Sequence, residues 1–153
     1  MKTPLYLAGA LTLVLTLALP ATRAGGQTPD ASVLAPIDAM FHGMTDRDPA
    51  AIKSAALPGT ILVLMRDGKP EQMTIDAFAD HFSKPGKAHL EERIHDPLVR
   101  TDNDLAVVWA PFEFLVDGKI DHCGRDIANL VRVDGRWLIA AIEDNGRTEC
   151  GAH

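Results

Sequence analysis

Two dipeptides near the end of the chain, Asp117-Gly118 and Asp134-Gly135, constrain the fold more than any other feature. They separate three long runs rich in Val, Ile, Leu, Phe and Trp, over residues 105–116, 119–133 and 136–145. A two-residue Asp-Gly link suits a tight hairpin turn whose twist matches the strands it joins. The runs are therefore expected to form a meander of three antiparallel strands, against which everything upstream must pack.

The upstream half changes period. Val33, Ile37, Met40 or Phe41, and Met44 recur at three and four residues, which predicts a helix. Asp48 then caps a short second helix with Pro49 at its first position. Residues 60–66 read as a strand closed by a further hairpin link, Asp67-Gly68. Thr74 is placed to cap a third helix with Ile75, Phe78, Ala79 and Phe82 on its apolar face. Residues 90–99 read as extended but carry Pro97, which predicts a bulge or an edge position. Helices first and an antiparallel meander after them make an α+β domain, one curved sheet with helices on one face.

The N-terminus bears on location. Lys2 precedes an apolar run over residues 5–19, Pro20 follows, and Thr22-Arg23-Ala24 offers small residues for cleavage. That run is about 15 residues, against the roughly 20 of a spanning helix, so residues 1–24 read as a removable export signal. The expectation is a flexible leader over residues 25–32, one domain over 33–153, and a periplasmic or secreted site of action. Without Lys2 and Arg23 the chain keeps 13 basic residues against 21 acidic, a net charge of about −8. An acidic chain of this kind offers no footprint for nucleic acid or anionic lipid, and no membrane contact once the signal is gone. An even pair of cysteines, Cys123 and Cys150, reads in an oxidising compartment as a disulfide, the alternative being two separate thiols.

Regular ladders running from the two hairpins would pair Val116 with Lys119 and Val133 with Arg136. One face then gathers Leu105, Leu130 and Ile139 with Trp109, Asp126 and Glu143, and at its end Glu113, His122 and Arg147. The other gathers Val108, Ile127 and Ile142, sets Arg125 opposite Asp144, and carries Cys123. A bulge in either long strand would exchange these faces.

The first face suits a small-molecule pocket, an apolar floor with a few convergent polar groups. Asp126 beside Glu143 near Trp109 is the best candidate for acid-base work, because neighbouring carboxylates out of water raise one another's pKa. The alternative is a solvated rim. His122 lies about 13 Å from Asp126 along the strand, at roughly 3.3 Å per residue, so the two cannot bond directly. Phe41 and His42 on the first helix are candidate pocket residues, with His42 and Asp38 alternatively a surface pair. Glu113, His122 and Arg147 read as a rim ion-pair cluster or a grip for an anion. No His-Glu-x-x-His, Cys/His quartet, glycine-rich nucleotide loop or nucleophile elbow occurs, so neither a metal nor a cofactor is expected.

Taken in order, the segments Asp48-Pro-Ala-Ala-Ile, Val-Val-Trp109-Ala-Pro-Phe112-Glu-Phe114, His122-Cys123-Gly124-Arg-Asp126 and Asp134-Gly-Arg-Trp137 resemble the nuclear transport factor 2-like superfamily. More narrowly, they resemble its SnoaL-like and putative lumazine-binding branch, in an exported bacterial form. The resemblance spans roughly residues 33–145. It implies a cone of strongly bent sheet wrapped around about three N-terminal helices, open at one end to a pocket, and a homodimer through the sheet. The scaffold hosts isomerases, dehydratases, cyclases and plain binders, so the resemblance leaves function open. Three readings follow: a pocket for an apolar or aromatic ligand, a cofactor-free lyase, isomerase or hydrolase with a pocket carboxylate as base, and a protein-interaction module whose cone mouth is filled. Phe112 stands where relatives often carry Tyr, which removes a hydroxyl donor.

Overall fold

A computed structural model describes residues 31–151. The export signal read over residues 1–24 and most of the leader lie outside them. Helix α1 (Ala31–Asp46) starts two residues before its apolar spacing does, and α2 (Pro49–Ser54) follows. The Asp48 carboxylate accepts from the Ala50 and Ala51 amides, and Pro49 occupies the first turn, where no partner for its nitrogen is needed. Strand β1 (Ala56–Arg66) turns into β2 (Lys69–Thr74), and Thr74 Oγ1 accepts from the Ala77 amide to open α3 (Ile75–Phe82).

The rest is sheet: β3 (Leu90–Ile94), β4 (Leu98–Asp102), β5 (Leu105–Val116), β6 (Lys119–Val133) and β7 (Arg136–Asp144). All three Asp-Gly links are tight hairpins with both residues at positive φ: Asp67 and Gly68 at 51° and 73°, Asp117 and Gly118 at 52° and 75°, Asp134 and Gly135 at 50° and 77°. The strands form one open sheet in the order β2-β1-β7-β6-β5-β3, with β4 beside β3 along the same edge of β5. The extended run expected over residues 90–99 is thus two edge strands, separated at Pro97 and at Asp96 with φ 40°.

One pairing departs from a purely antiparallel sheet. Strands β1 and β7 run parallel, with Leu62 beside Ile142 and Leu64 beside Asp144. No hairpin links them, so nothing local fixes their direction, and Thr60 Oγ1 donates to the Ile139 carbonyl inside this seam. The helices fill the concave side of the sheet. Val33, Ile37, Met40 and Met44 of α1 and Ile75 and Ala79 of α3 are buried with Leu62, Val108, Leu130, Ile139 and Ile142 of the strands. Among the described residues no helix is long and apolar enough to cross a membrane.

Candidate functional site

Two bulges decide which side chains enter the cone. From the β5–β6 hairpin, Val116 pairs with Lys119 and Leu115 with Ile120, as regular ladders require. Asp121 is then extra, and Phe114 faces His122. From the β6–β7 hairpin the ladder is regular to Leu130 opposite Ile139; Ala140 is extra, and Asn129 faces Ala141. A one-residue shift moves a strand's side chains to the other face relative to its neighbour. The inward rows become Phe114–His122, Phe112–Gly124, Ala110–Asp126–Asp144 and Val108–Ala128–Ile142.

The regular-ladder expectation is corrected accordingly. Asp126 stays inside, but Trp109 and Glu143 lie opposite Ile127 on the outer face. There Trp109 is 45% exposed and Glu143 accepts from Asn129 Nδ2 at 3.3 Å. The Glu113–His122–Arg147 cluster is also divided. Glu113 bonds His95 at 3.2 Å, His122 turns inward, and Arg147 bridges Cys123 through backbone bonds on the C-terminal tail. The expected Arg125–Asp144 pair does not form, because Asp144 pairs with Arg66 instead. Of the two candidates on α1, Phe41 lines the cavity; His42 is exposed, its Nδ1 donating to the Asp38 carbonyl at 2.7 Å.

The cavity between helices and sheet has a volume of about 400 Å³. Its walls are apolar: Ile37, Met40, Phe41 and Met44 from α1, Phe78 and Phe82 from α3, Phe112 and Phe114 from β5. His122 stacks on Phe114 with ring centres 4.9 Å apart and meets Phe112 edge-on at 5.7 Å. Its Nδ1 donates to Asp121 at 3.0 Å.

Charge gathers at one place on this wall. Three inward strand positions bring Glu92, Asp126 and Asp144 together with Arg66. The Arg66 guanidinium grips Asp144 with both arms, Nη1 on Oδ1 and Nη2 on Oδ2 at 2.8 Å, and Gly146 N–H donates to Oδ1 at 3.2 Å. The ion pair makes Arg66 hold its proton more firmly. Glu92 and Asp126 share a hydrogen bond with each other. Both line the cavity, and burial dominates their chemistry. Burial, then the Asp126 and Asp144 charges, raises Glu92 well above the carboxylate range. Burial and Asp144 push Asp126 up to about 8, while the Glu92 hydrogen bond and Arg66 pull it back. At neutral pH the pair therefore keeps its protons, and can donate to, accept from or exchange a proton with whatever fills the cavity.

The C-terminal tail closes this corner. Cys123 and Cys150 form a disulfide with Cα atoms 5.9 Å apart. Residues 145–147 continue past β7 along β6, the Arg125 amide donating to Asn145 Oδ1 at 2.7 Å and Arg147 and Cys123 exchanging backbone bonds. Gly124 sits where no side chain fits: a Cβ would lie 2.7 Å from both the Asn145 carbonyl and the Phe112 ring. No group of three or more His, Cys, Asp or Glu among the described residues is placed to hold a metal.

The family model described as putative lumazine-binding matches residues 28–142. The chain belongs to this family. Its fold is that of the nuclear transport factor 2-like superfamily, as solved structures show. A protein of that fold from Cytophaga hutchinsonii superposes with TM-score 0.66 at 17% identity, over 78% of this chain and 99% of that one. A putative calcium/calmodulin-dependent protein kinase II association domain from Xanthomonas campestris gives 0.63 at 20%, over 92% and 100%. A putative scytalone dehydratase from Novosphingobium aromaticivorans gives 0.63 at 10%, over 80% and 87%. At these identities the likeness to solved structures is one of fold. No curated protein matches the chain in sequence.

Proposed function

We propose that this member of the lumazine-binding family is an exported pocket protein. It takes up a small molecule with an apolar or aromatic body and a polar end that meets Glu92 and Asp126. The observation that carries the reading is the composition of the cavity, about 400 Å³ of mostly apolar wall with one proton-holding carboxyl pair in it. In this reading the domain works in the periplasm or outside the cell after losing residues 1–24, as the disulfide suits. The outer sheet face, with Trp109 and Leu105 exposed, serves a homodimer. The test is a thermal-shift screen of neutral, cationic and anionic ring compounds on the purified protein and on Phe112→Ala. Ligands that stabilise the first and not the second support the reading; a screen in which none stabilises the protein refutes it.

A second reading is favoured by one feature, the carboxyl of Asp126 at about 8 beside a second carboxyl that burial also raises. Such a pair suits cofactor-free isomerisation or elimination, with the ionised minority of Asp126, growing as pH approaches 8, as the base and Glu92 as the proton donor to a carbonyl. Incubation of a ring ketone such as 2-tetralone in D2O measures this directly. Deuterium uptake at the α-carbon that disappears in Asp126→Asn supports it, and no uptake above the buffer rate removes it.

A further inference from the structure

The charged groups around the cavity are unequally provided for. Arg66 spends both guanidinium arms on Asp144. Arg47, at the rim, donates to the Lys84 and Ala88 carbonyls at 3.3 and 3.0 Å. His122 gives its Nδ1 to Asp121, outside the cavity corner. Glu71 and His81 stand on β2 and α3, both exposed. Glu92 and Asp126 thus line the cavity with each other as hydrogen-bond partner, and among the described residues the nearest cation, Arg66, is already bound to Asp144.

The strand pattern places them there at a cost. Glu92 interrupts the inward sequence Leu90, Glu92, Ile94, and Asp126 sits between Gly124 and Ala128, where an apolar residue would pack. Inward carboxyls of this kind destabilise an empty cavity. They would stabilise a filled one whose occupant brings the missing positive charge. Phe41, Phe78, Phe112 and Phe114 line the same space, and aromatic rings attract cations as well as apolar bodies.

We propose that the cavity is selective for a cation, a small protonated amine carried on a ring-bearing apolar body, with the ammonium held by Glu92 and Asp126. The inference rests on the pocket reading above and narrows its ligand class. Burial and the neighbouring carboxylates keep protons on the two carboxyls, and Arg66, engaged by Asp144, offsets this only in part. When the ammonium enters, Asp126 gives its proton to solvent and the carboxylate takes the ammonium N–H groups in its place, so charge in the cavity balances.

The experiment compares three probes of one shape by titration calorimetry on the purified protein at pH 7: 2-naphthylmethylamine, 2-naphthylmethanol and 2-naphthoate. The amine is expected to bind at least about tenfold more tightly than the alcohol, and the naphthoate more weakly than either. Repeating the amine titration in buffers of different ionisation enthalpy should show roughly one proton released per amine bound. Asp126→Asn and Glu92→Gln should each cost the amine about tenfold and the alcohol, which keeps a neutral hydrogen-bond partner, much less. Alcohol or naphthoate binding as tightly as the amine, or amine binding without proton release, overturns the inference while leaving the pocket reading in place. Binding of none of the three overturns both. The wild-type comparison stands by itself, whatever the variants do to folding.

Discussion

The acid pair should make this protein lose stability as the pH rises through a range in which most proteins are insensitive to it. Asp126 titrates near 8 in the folded protein and near 3.9 when unfolded. A carboxyl raised on folding binds a proton in the native state that the unfolded chain has already released. Its contribution is therefore most favourable below about pH 4, declines as pH rises, and levels off above about 8. One such group gives a slope of about −1.4 kcal/mol per pH unit between pH 5 and 7, and Glu92, also raised, acts in the same direction. Summed over its window, Asp126 alone accounts for roughly 5 kcal/mol, comparable with the whole stability of a weak domain. Over pH 5 to 7 that slope amounts to about 2.8 kcal/mol, and with water entering the cavity a fall of about 1–2 kcal/mol is expected. Urea unfolding at half-unit pH steps measures it, with the double variant Glu92→Gln, Asp126→Asn as reference. That variant should be nearly flat over the window, and more stable than the wild type at pH 8. A wild-type curve that is flat or rising from pH 5 to 7, or identical slopes in the two proteins, would refute the argument that these carboxyls keep their protons.

Two further expectations concern the tail. Cys150→Ser, or reduction by a dithiol, opens a loop with a sequence separation of 27. It should lower stability by roughly 3–4 kcal/mol, read as a shift in the urea midpoint. Gly124→Ala drives a Cβ into the Asn145 carbonyl and the Phe112 ring, each 2.7 Å away. It should cost about 2–3 kcal/mol or more in the same assay, and an unchanged midpoint would mean that the tail is not packed against β6.

The elements were legible because their signals are local. Asp-Gly between β-rich runs marks a hairpin whatever surrounds it, and Asp48 and Thr74 cap helices through bonds two and three residues away. The faces of the sheet were not legible, because they depend on Asp121 and Ala140, neither of which carries a residue signal for a bulge. A Gly would have been such a signal, but both bulges leave the positive-φ region unused. Each shift changes which residues meet: Asp126 keeps the cavity but exchanges Glu143 for Asp144 as its neighbour. Glu92 and Arg66 were missed for another reason. Each stands in line with apolar residues at even spacing, Leu90 and Ile94 two positions from Glu92, Leu64 and Leu62 two and four positions from Arg66. A charged residue in phase with an apolar stripe is the one signal that could have found them.

The parallel seam between β1 and β7 also sets an order of events for the nascent chain. Ile61 and Ala141 are neighbours in the sheet but 80 positions apart in the chain. At about 5–20 residues per second, β1 waits roughly 4–16 s on the ribosome before its partner has been made. Through that interval Leu62 and Leu64 have only the β2 hairpin and the helices for cover, and the sheet cannot close over them. A contact this remote slows folding, so the chain is held open by its own topology until its last strand has been synthesised.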